Sequence, residues 1–256
     1  MRLPRSVVVL LSLQTPVVVD EFQLKARVSG VPGIKRESIF HALNQKAVAR
    51  RYAKSMARNT KSSILSLSHL GGGISVGAHR KGLVIDVNNA LNGEGPISPE
   101  RAGTVPSEAL ATLCFSGKYT LNEVKKMLHG KAGLAAYLGT SDMITIEEKA
   151  IEGKEPYKTL VAAMDYTVAK EIGAMFVALK GQCDAIILTG GIAYSDYCVA
   201  DIKEQIEYLC KVVVLPGENE MESLAENAFG ALTGELPVLT YTGVSCAEEI
   251  PGMAEA

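Results

Sequence analysis

The chain has 256 residues, 47% of them apolar and 21% charged, with a formal net charge of -2. That balance supports a sizeable core, excludes disorder over most of the length, and offers no positive field for nucleic acid or an anionic membrane surface. No apolar run approaches the roughly 20 residues of a membrane-spanning helix, and five cysteines without C-x-x-C spacing read as reduced thiols of a cytoplasmic protein.

Residues 1–15 place Arg2, Pro4 and Arg5 before the apolar run Val7 to Leu11. The likeness to a signal peptide is superficial, because no small-residue cleavage pattern follows and a strand pattern resumes from Pro16. Val17 to Val19 reads as a strand leading to Asp20 and Glu21, and a helix rich in Ala, Lys and Arg is expected over Ile39 to Ala57. Ile64, Leu65 and Leu67 form a short apolar strand that stops at His69 and Gly71-Gly72-Gly73. Ile74, Val76 and Ala78 then alternate with Ser75, Gly77 and His79, and Arg80-Lys81-Gly82 turns the chain into a third strand, Leu83 to Val87. Farther on, Leu160, Val161, Met164, Val168, Ile172, Met175, Phe176 and Leu179 recur at helical spacing and predict one long buried helix ended by Gly181. Asp184 to Thr189 is a buried strand running into Gly190-Gly191; Ile202 to Leu209 reads as helix, Val212 to Leu215 as strand and Glu220 to Leu232 as helix. The second half is therefore α/β.

The strongest motif is His69-Leu70-Gly71-Gly72-Gly73-Ile74-Ser75. Glycines between two strands expose amide N–H groups to phosphate oxygens, and they equally suit a tight hairpin turn. A dinucleotide fingerprint would need glycine at Val76 and a following helix, and Gly117-Lys118, Gly130-Lys131 and Gly153-Lys154 lack the earlier glycine of a P-loop. On residue type alone, His69 reads as a strand-end histidine and Arg101 as a loop arginine with a donor fork suited to carboxylate or phosphoryl groups. Glu220 reads as a first-turn helix acid, and Asp20, Asp142, Gly190 and Gly191 fit turns. His41, His79 and His129 have no metal-ligand spacing and read as structural or exposed.

These residues carry a resemblance. His69 to Gly77 is similar to the second phosphate motif, H-x-G-x-G-x-S, of acetate and butyrate kinases. Ile85 to Leu91, Gly93-Glu94-Gly95-Pro96, Ser98-Pro99-Glu100-Arg101, Ala136 to Thr140 and Ile187 to Ser195 resemble the butyrate kinases of the acetokinase family specifically, over about Pro16 to Leu232. The resemblance implies an actin-like fold of duplicated ribonuclease-H-like domains closing on ATP, with the first domain incomplete. Residues 1–15 would be an unmatched leader, 16–44 the remainder of the amino-terminal domain, 45–215 the carboxyl-terminal domain, and 216–256 a helix returning to the first domain plus a tail. It also implies ATP-dependent phosphorylation of butanoate with Mg2+, and a homo-oligomer if intact. By that resemblance Asp20, His69 and Arg101 are catalytic, Gly71, Gly72 and Gly73 bind phosphate, Asp142, Gly190 and Gly191 bind the adenosine side, and Glu220 positions magnesium. Ile144 departs from the arginine that much of the family carries two residues after the aspartate matched by Asp142. The family's first phosphate loop, N-x-G-[ST]-[ST]-[ST]-x-[KE], has no counterpart, so the chain is expected to be truncated and weakly active at best. The alternative is a noncatalytic remnant that binds nucleotide or a partner.

Overall fold

The computed structural model describes residues 19–218, 220–235 and 238. Most of the expected first strand, the leader and the last dozen residues lie outside them. In chain order the elements are α1 (Ala42–Ser55), β1 (Ile64–Leu70), β2 (Ile74–Arg80), β3 (Leu83–Val87), α2 (Ser107–Cys114), α3 (Leu121–Leu128), α4 (Gly133–Leu138), α5 (Met143–Ile151), α6 (Tyr157–Ala178), β4 (Ala185–Gly190), α7 (Asp196–Ile206), β5 (Val212–Pro216) and α8 (Glu220–Leu232).

The strands form one mixed sheet in the order β3-β2-β1-β4-β5. β1, β2 and β3 are an antiparallel meander, while β4 and β5 run parallel to β1 and to each other. The β2–β3 turn needs two residues in the left-handed region, and Lys81 (φ 54°) and Gly82 (φ 84°) supply them. Parallel neighbours require crossovers, and α7 carries the one from β4 to β5.

Strand alternation sends two side-chain sets to two helical layers. Ile74, Val76, Ala78, Ile186 and Leu188 pack in one core with Val161, Met164, Val168 and Ile172 of α6 and Val199 and Ile202 of α7. On the other face Leu65, Leu67, Ala185 and Ile187 meet Val48, Ala49 and Tyr52 of α1. Leu67 and Ile187 are wholly buried, and each such side chain contributes about 1.5–3 kcal/mol. α8 lies along α1, and Arg50 donates to Asn227 Oδ1 at 2.6 Å.

The expected helix over Ile39 to Ala57 begins only at Ala42. Phe40 is held before it in a small apolar cluster with Phe22, Ala26, Val84 and Val87, which keeps residues 39–41 out of helical register. Between β3 and α6 the sequence patterns assigned no elements, and the structure has four helices there. One, α3, is started by a capping box: Thr120 Oγ1 accepts from Glu123 N–H, and Glu123 accepts from Thr120 N–H at 2.7 Å. Among the described residues no helix is long and apolar enough to cross a membrane.

Candidate functional site

The site begins where β1 ends. Gly71 N–H donates to Gly73 O at 3.2 Å, closing a tight link between β1 and β2. Gly72 O accepts from Ser98 Oγ at 2.7 Å and from Glu100 N–H at 3.1 Å, so the segment before Arg101 is fastened to the glycine link. Ser98 Oγ also accepts from Arg101 N–H at 3.1 Å. A side chain at Gly73 would meet His41 and Arg101, and one at Gly72 would meet the Glu100 carboxylate at 3.3 Å. The tight contacts are at Gly71, where a Cβ would lie 3.1 Å from His69 Nε2, and at Gly72, so it is there that the missing side chain lets His69 and Glu100 approach the backbone.

Arg101 has spare donor capacity. Nη1 makes a 3.3 Å hydrogen bond to Glu100 O and sits 3.8 Å from the Glu100 carboxylate, while buried Nε has no hydrogen-bond partner. A guanidinium with a partly unfilled fork is a receptor for a planar anion.

Beneath it, the polar side of β2 is covered by α1. Ser75 and His79 are buried with Asn44 and Gln45. Gln45 Nε2 donates to Ser75 O (3.1 Å) and Ser75 Oγ (2.9 Å), and its Oε1 lies 2.8 Å from His79 Nε2. Ser75 Oγ is in turn 2.9 Å from His41 Nδ1. The His41 ring stacks on His69 with centroids 3.8 Å apart and planes within 16°. His69 Nδ1 is 3.1 Å from Asn44 Oδ1, while Asn44 Nδ2 donates to Glu218 O at 2.8 Å. Burial pushes all three imidazoles down: His41 to about 4, helped by the Arg101 charge, and His69 and His79 to about 3, helped by His41 and Lys46 respectively. At neutral pH all three are uncharged.

A cavity of about 240 Å³ opens against this layer. Its wall combines apolar Phe40, Leu43, Ala90 and Leu91 with His41 and Arg101, and Glu220 at the start of α8 completes it. Ala90 is placed by its N–H donating to Ile39 O at 2.9 Å.

Of the residues singled out in the sequence, Arg101, Gly73 and Glu220 line this cavity. His69 stacks behind His41, and Gly71 is close to His69 and Glu218. Asp20 is elsewhere engaged: Arg27 clamps its carboxylate through two bonds of 2.7 and 2.6 Å. Asp142 caps α5, accepting from Ile144 N–H at 3.3 Å and Thr145 Oγ1 at 2.6 Å, and those bonds lower its pKa. Gly190 (φ 92°) lies so close to the Leu70 backbone that no side chain fits, whereas a side chain at Gly191 would meet open space. Gly190 is therefore required by β1–β4 packing, and Gly191 alone of the two faces outward.

Sequence reasoning left three site residues without a role: His41, read there as structural or exposed, and Asn44 and Gln45. The signal lay in the helix stripe, since Asn44 and Gln45 precede the buried Val48 and Ala49 by four residues. Amides on a core-facing stripe have to be paired with other buried polar groups.

The acetokinase family model matches residues 19–229. The chain belongs to the acetokinase family. A probable butyrate kinase of Phocaeicola vulgatus is 66% identical over 226 residues, 88% of this chain and 64% of that protein. A probable butyrate kinase of Bacteroides thetaiotaomicron is 52% identical over the same shares. The chain thus spans about two thirds, 64%, of the length of these relatives. Among solved structures, Porphyromonas gingivalis acetate kinase superposes with a TM-score of 0.75 at 20% identity, covering 85% of this chain and 63% of that one. A Francisella tularensis propionate kinase gives 0.72 at 19% identity, over 83% and 62%. These likenesses establish the fold, the actin-like α/β architecture of the family.

Proposed function

We propose that this chain carries the acyl-binding side of a carboxylate kinase, which transfers the γ-phosphoryl group of ATP to butanoate or a similar short acid. The observation that carries the reading is Arg101, a guanidinium with unfilled donors set beside apolar Leu43, Leu91 and Ala90 in a cavity of about 240 Å³. A short fatty acid has the matching chemistry: a planar anion for the fork and a few methylenes for the apolar wall. The names of the Phocaeicola and Bacteroides relatives support the same substrate class.

In this reading a carboxylate oxygen of butanoate attacks the γ-phosphorus of ATP in line, the bond from phosphorus to the β,γ-bridging oxygen breaks, and butanoyl phosphate and ADP result. Arg101 holds the carboxylate and screens charge on the group in flight; His41 lies beside it, and Gly71 to Gly73 keep side chains out of the phosphoryl path. His69 and Gly191, adjoining the glycine link and the open side of β4, are assigned to the phosphate and nucleotide side. Mg2+ supplies neutralisation of phosphate charge when bound. Among the described residues no cluster of three His, Cys, Asp or Glu could hold a metal ion. Glu220 at the cavity and Glu218 near His69 suit an ion held chiefly by phosphates and water, with one or two carboxylates from the protein.

The test is ATP-dependent formation of butanoyl phosphate, trapped as its hydroxamate. Weak hydroxamate formation that requires both ATP and butanoate is expected. If Arg101→Ala turned over at the parent rate, the reading would be wrong.

A further inference from the structure

The stacked pair His41 and His69 is held by two adjacent amides of α1, and the hydrogen-bond directions of those amides are not free. A backbone carbonyl only accepts. Gln45 Nε2 faces Ser75 O, so it is the amide end that donates there and Oε1 is the end that faces His79. His79 therefore donates from Nε2. The second Gln45 hydrogen goes to Ser75 Oγ, which also receives the His41 backbone N–H at 3.4 Å. With its acceptor sites used, the hydroxyl has its own hydrogen to give, and the acceptor within reach is His41 Nδ1 at 2.9 Å. His41 is thereby fixed with its hydrogen on Nε2.

The neighbouring Asn44 fixes its histidine the opposite way. Asn44 Nδ2 faces the carbonyls of Glu218 at 2.8 Å and Gly217 at 3.4 Å, so Oδ1 is the end that meets His69 Nδ1. His69 must donate from Nδ1, which leaves Nε2 as a lone pair beside Gly71, with a Glu218 carboxylate oxygen 3.6 Å away, beyond hydrogen-bond distance. Space for the first chain is provided by Gly77, where a Cβ would come within 2.5 Å of Gln45 Oε1.

We propose that Asn44 and Gln45 are positioning residues that lock the two stacked imidazoles in opposite tautomers, His41 with hydrogen on Nε2 and His69 with hydrogen on Nδ1. Resting on the carboxylate-kinase reading, this gives the pair a division of labour. His41 offers a hydrogen-bond donor at the cavity without becoming charged. His69 keeps a hydrogen-bond acceptor, Nε2, beside the glycine link, stacked 3.8 Å from the His41 ring. The buried His79 closes the first chain, donating from Nε2 to the Gln45 Oε1 that the Ser75 carbonyl orients.

The experiment is a two-bond 1H–15N correlation spectrum of the ligand-free protein labelled with 15N-histidine, at neutral pH. The chain has four histidines, so each ring is resolvable by single replacement. The expected spectrum shows a pyrrole-like Nε2 and pyridine-like Nδ1 for His41 and His79, and the reverse for His69. Ser75→Ala should release His41 to a mixture of tautomers while leaving His69 unmoved; Asn44→Asp, which keeps the acceptor, should preserve the His69 pattern. Identical tautomers for His41 and His69 in the parent would overturn the proposal, as would an unchanged His41 pattern in Ser75→Ala. The parent spectrum decides even if a variant fails to fold. Because it needs no turnover, a protein with these tautomers and no acyl phosphate formation would sink the proposed function and leave the positioning role standing.

Discussion

Arg101 differs from the other well-placed arginines in what it lacks. Arg27 is bound into Asp20, and Arg36 is shared among Asp86, Glu94 and two backbone carbonyls; both are structural clamps. Arg101 has a buried Nε with no partner and a long contact to Glu100, a cost of about 1–3 kcal/mol for an unsatisfied group that an incoming anion would remove. Arg101→Lys is expected to fail almost as badly as Arg101→Ala, with hydroxamate formation down by roughly 100-fold or more, because an ammonium cannot reproduce the planar fork. Recovery of parent turnover by lysine would show that only charge is needed. Residue type named Arg101 as a candidate in the sequence, but its unfilled state is a tertiary fact. His41 is the converse case: without metal spacing nothing local distinguished it, and its place is set by Phe40 packing against Phe22 and Val84, long-range contacts that no window contains.

At the scale of elements, the alternation of β2 was readable and its meaning was not. Ile74, Val76 and Ala78 form the core side as expected, and Ser75, Gly77 and His79 the other. A polar face on a strand ordinarily predicts solvent, yet here α1 covers it with Asn44 and Gln45, so the polar stripe of one element fits that of another. The glycine link was legible as a tight connection between two strands, whereas the support beneath Arg101 was not. Gly133 (φ 60°) opens α4 with no room for a Cβ, which would run into the backbone of Ser98 and come within 2.6 Å of Arg101 O. Gly133→Ala should therefore destabilise the fold by about 2 kcal/mol or more and move the Arg101 segment. Urea titration alongside butanoate calorimetry would register both effects; a parent-like midpoint would show that the 98–101 segment yields without cost.

For the whole molecule, the layering was largely legible, because the long stripe of α6 and the two parallel strands define an α/β core. What sequence could not give is the polar group left inside it. Asp165 of α6 is fully buried, and its carboxylate makes no hydrogen bond of ordinary geometry, the Cys198 thiol being a weak partner. Burial, with a contribution from the Asp201 charge, pushes it up to about 8. A carboxyl whose folded pKa lies above its unfolded value adds stability that is complete below about 4 and is lost as pH rises through about 8. Asp165→Asn, which cannot ionise, should thus gain on the parent as pH rises from 4 to 8, by up to roughly 5 kcal/mol over that range. Urea midpoints of both proteins across that range test this, and a difference independent of pH would mean that Asp165 is ionised in the fold.

The central claim is that the cavity walled by Arg101, Leu43 and Leu91 receives a short carboxylate, and calorimetric titration of the protein with butanoate tests it most directly. Measurable butanoate binding is predicted, weakened at least about tenfold by Arg101→Ala through loss of a charge-assisted pair and likewise by Leu43→Phe, which fills the apolar end. Binding that both variants leave intact would place the acid somewhere else and contradict the account.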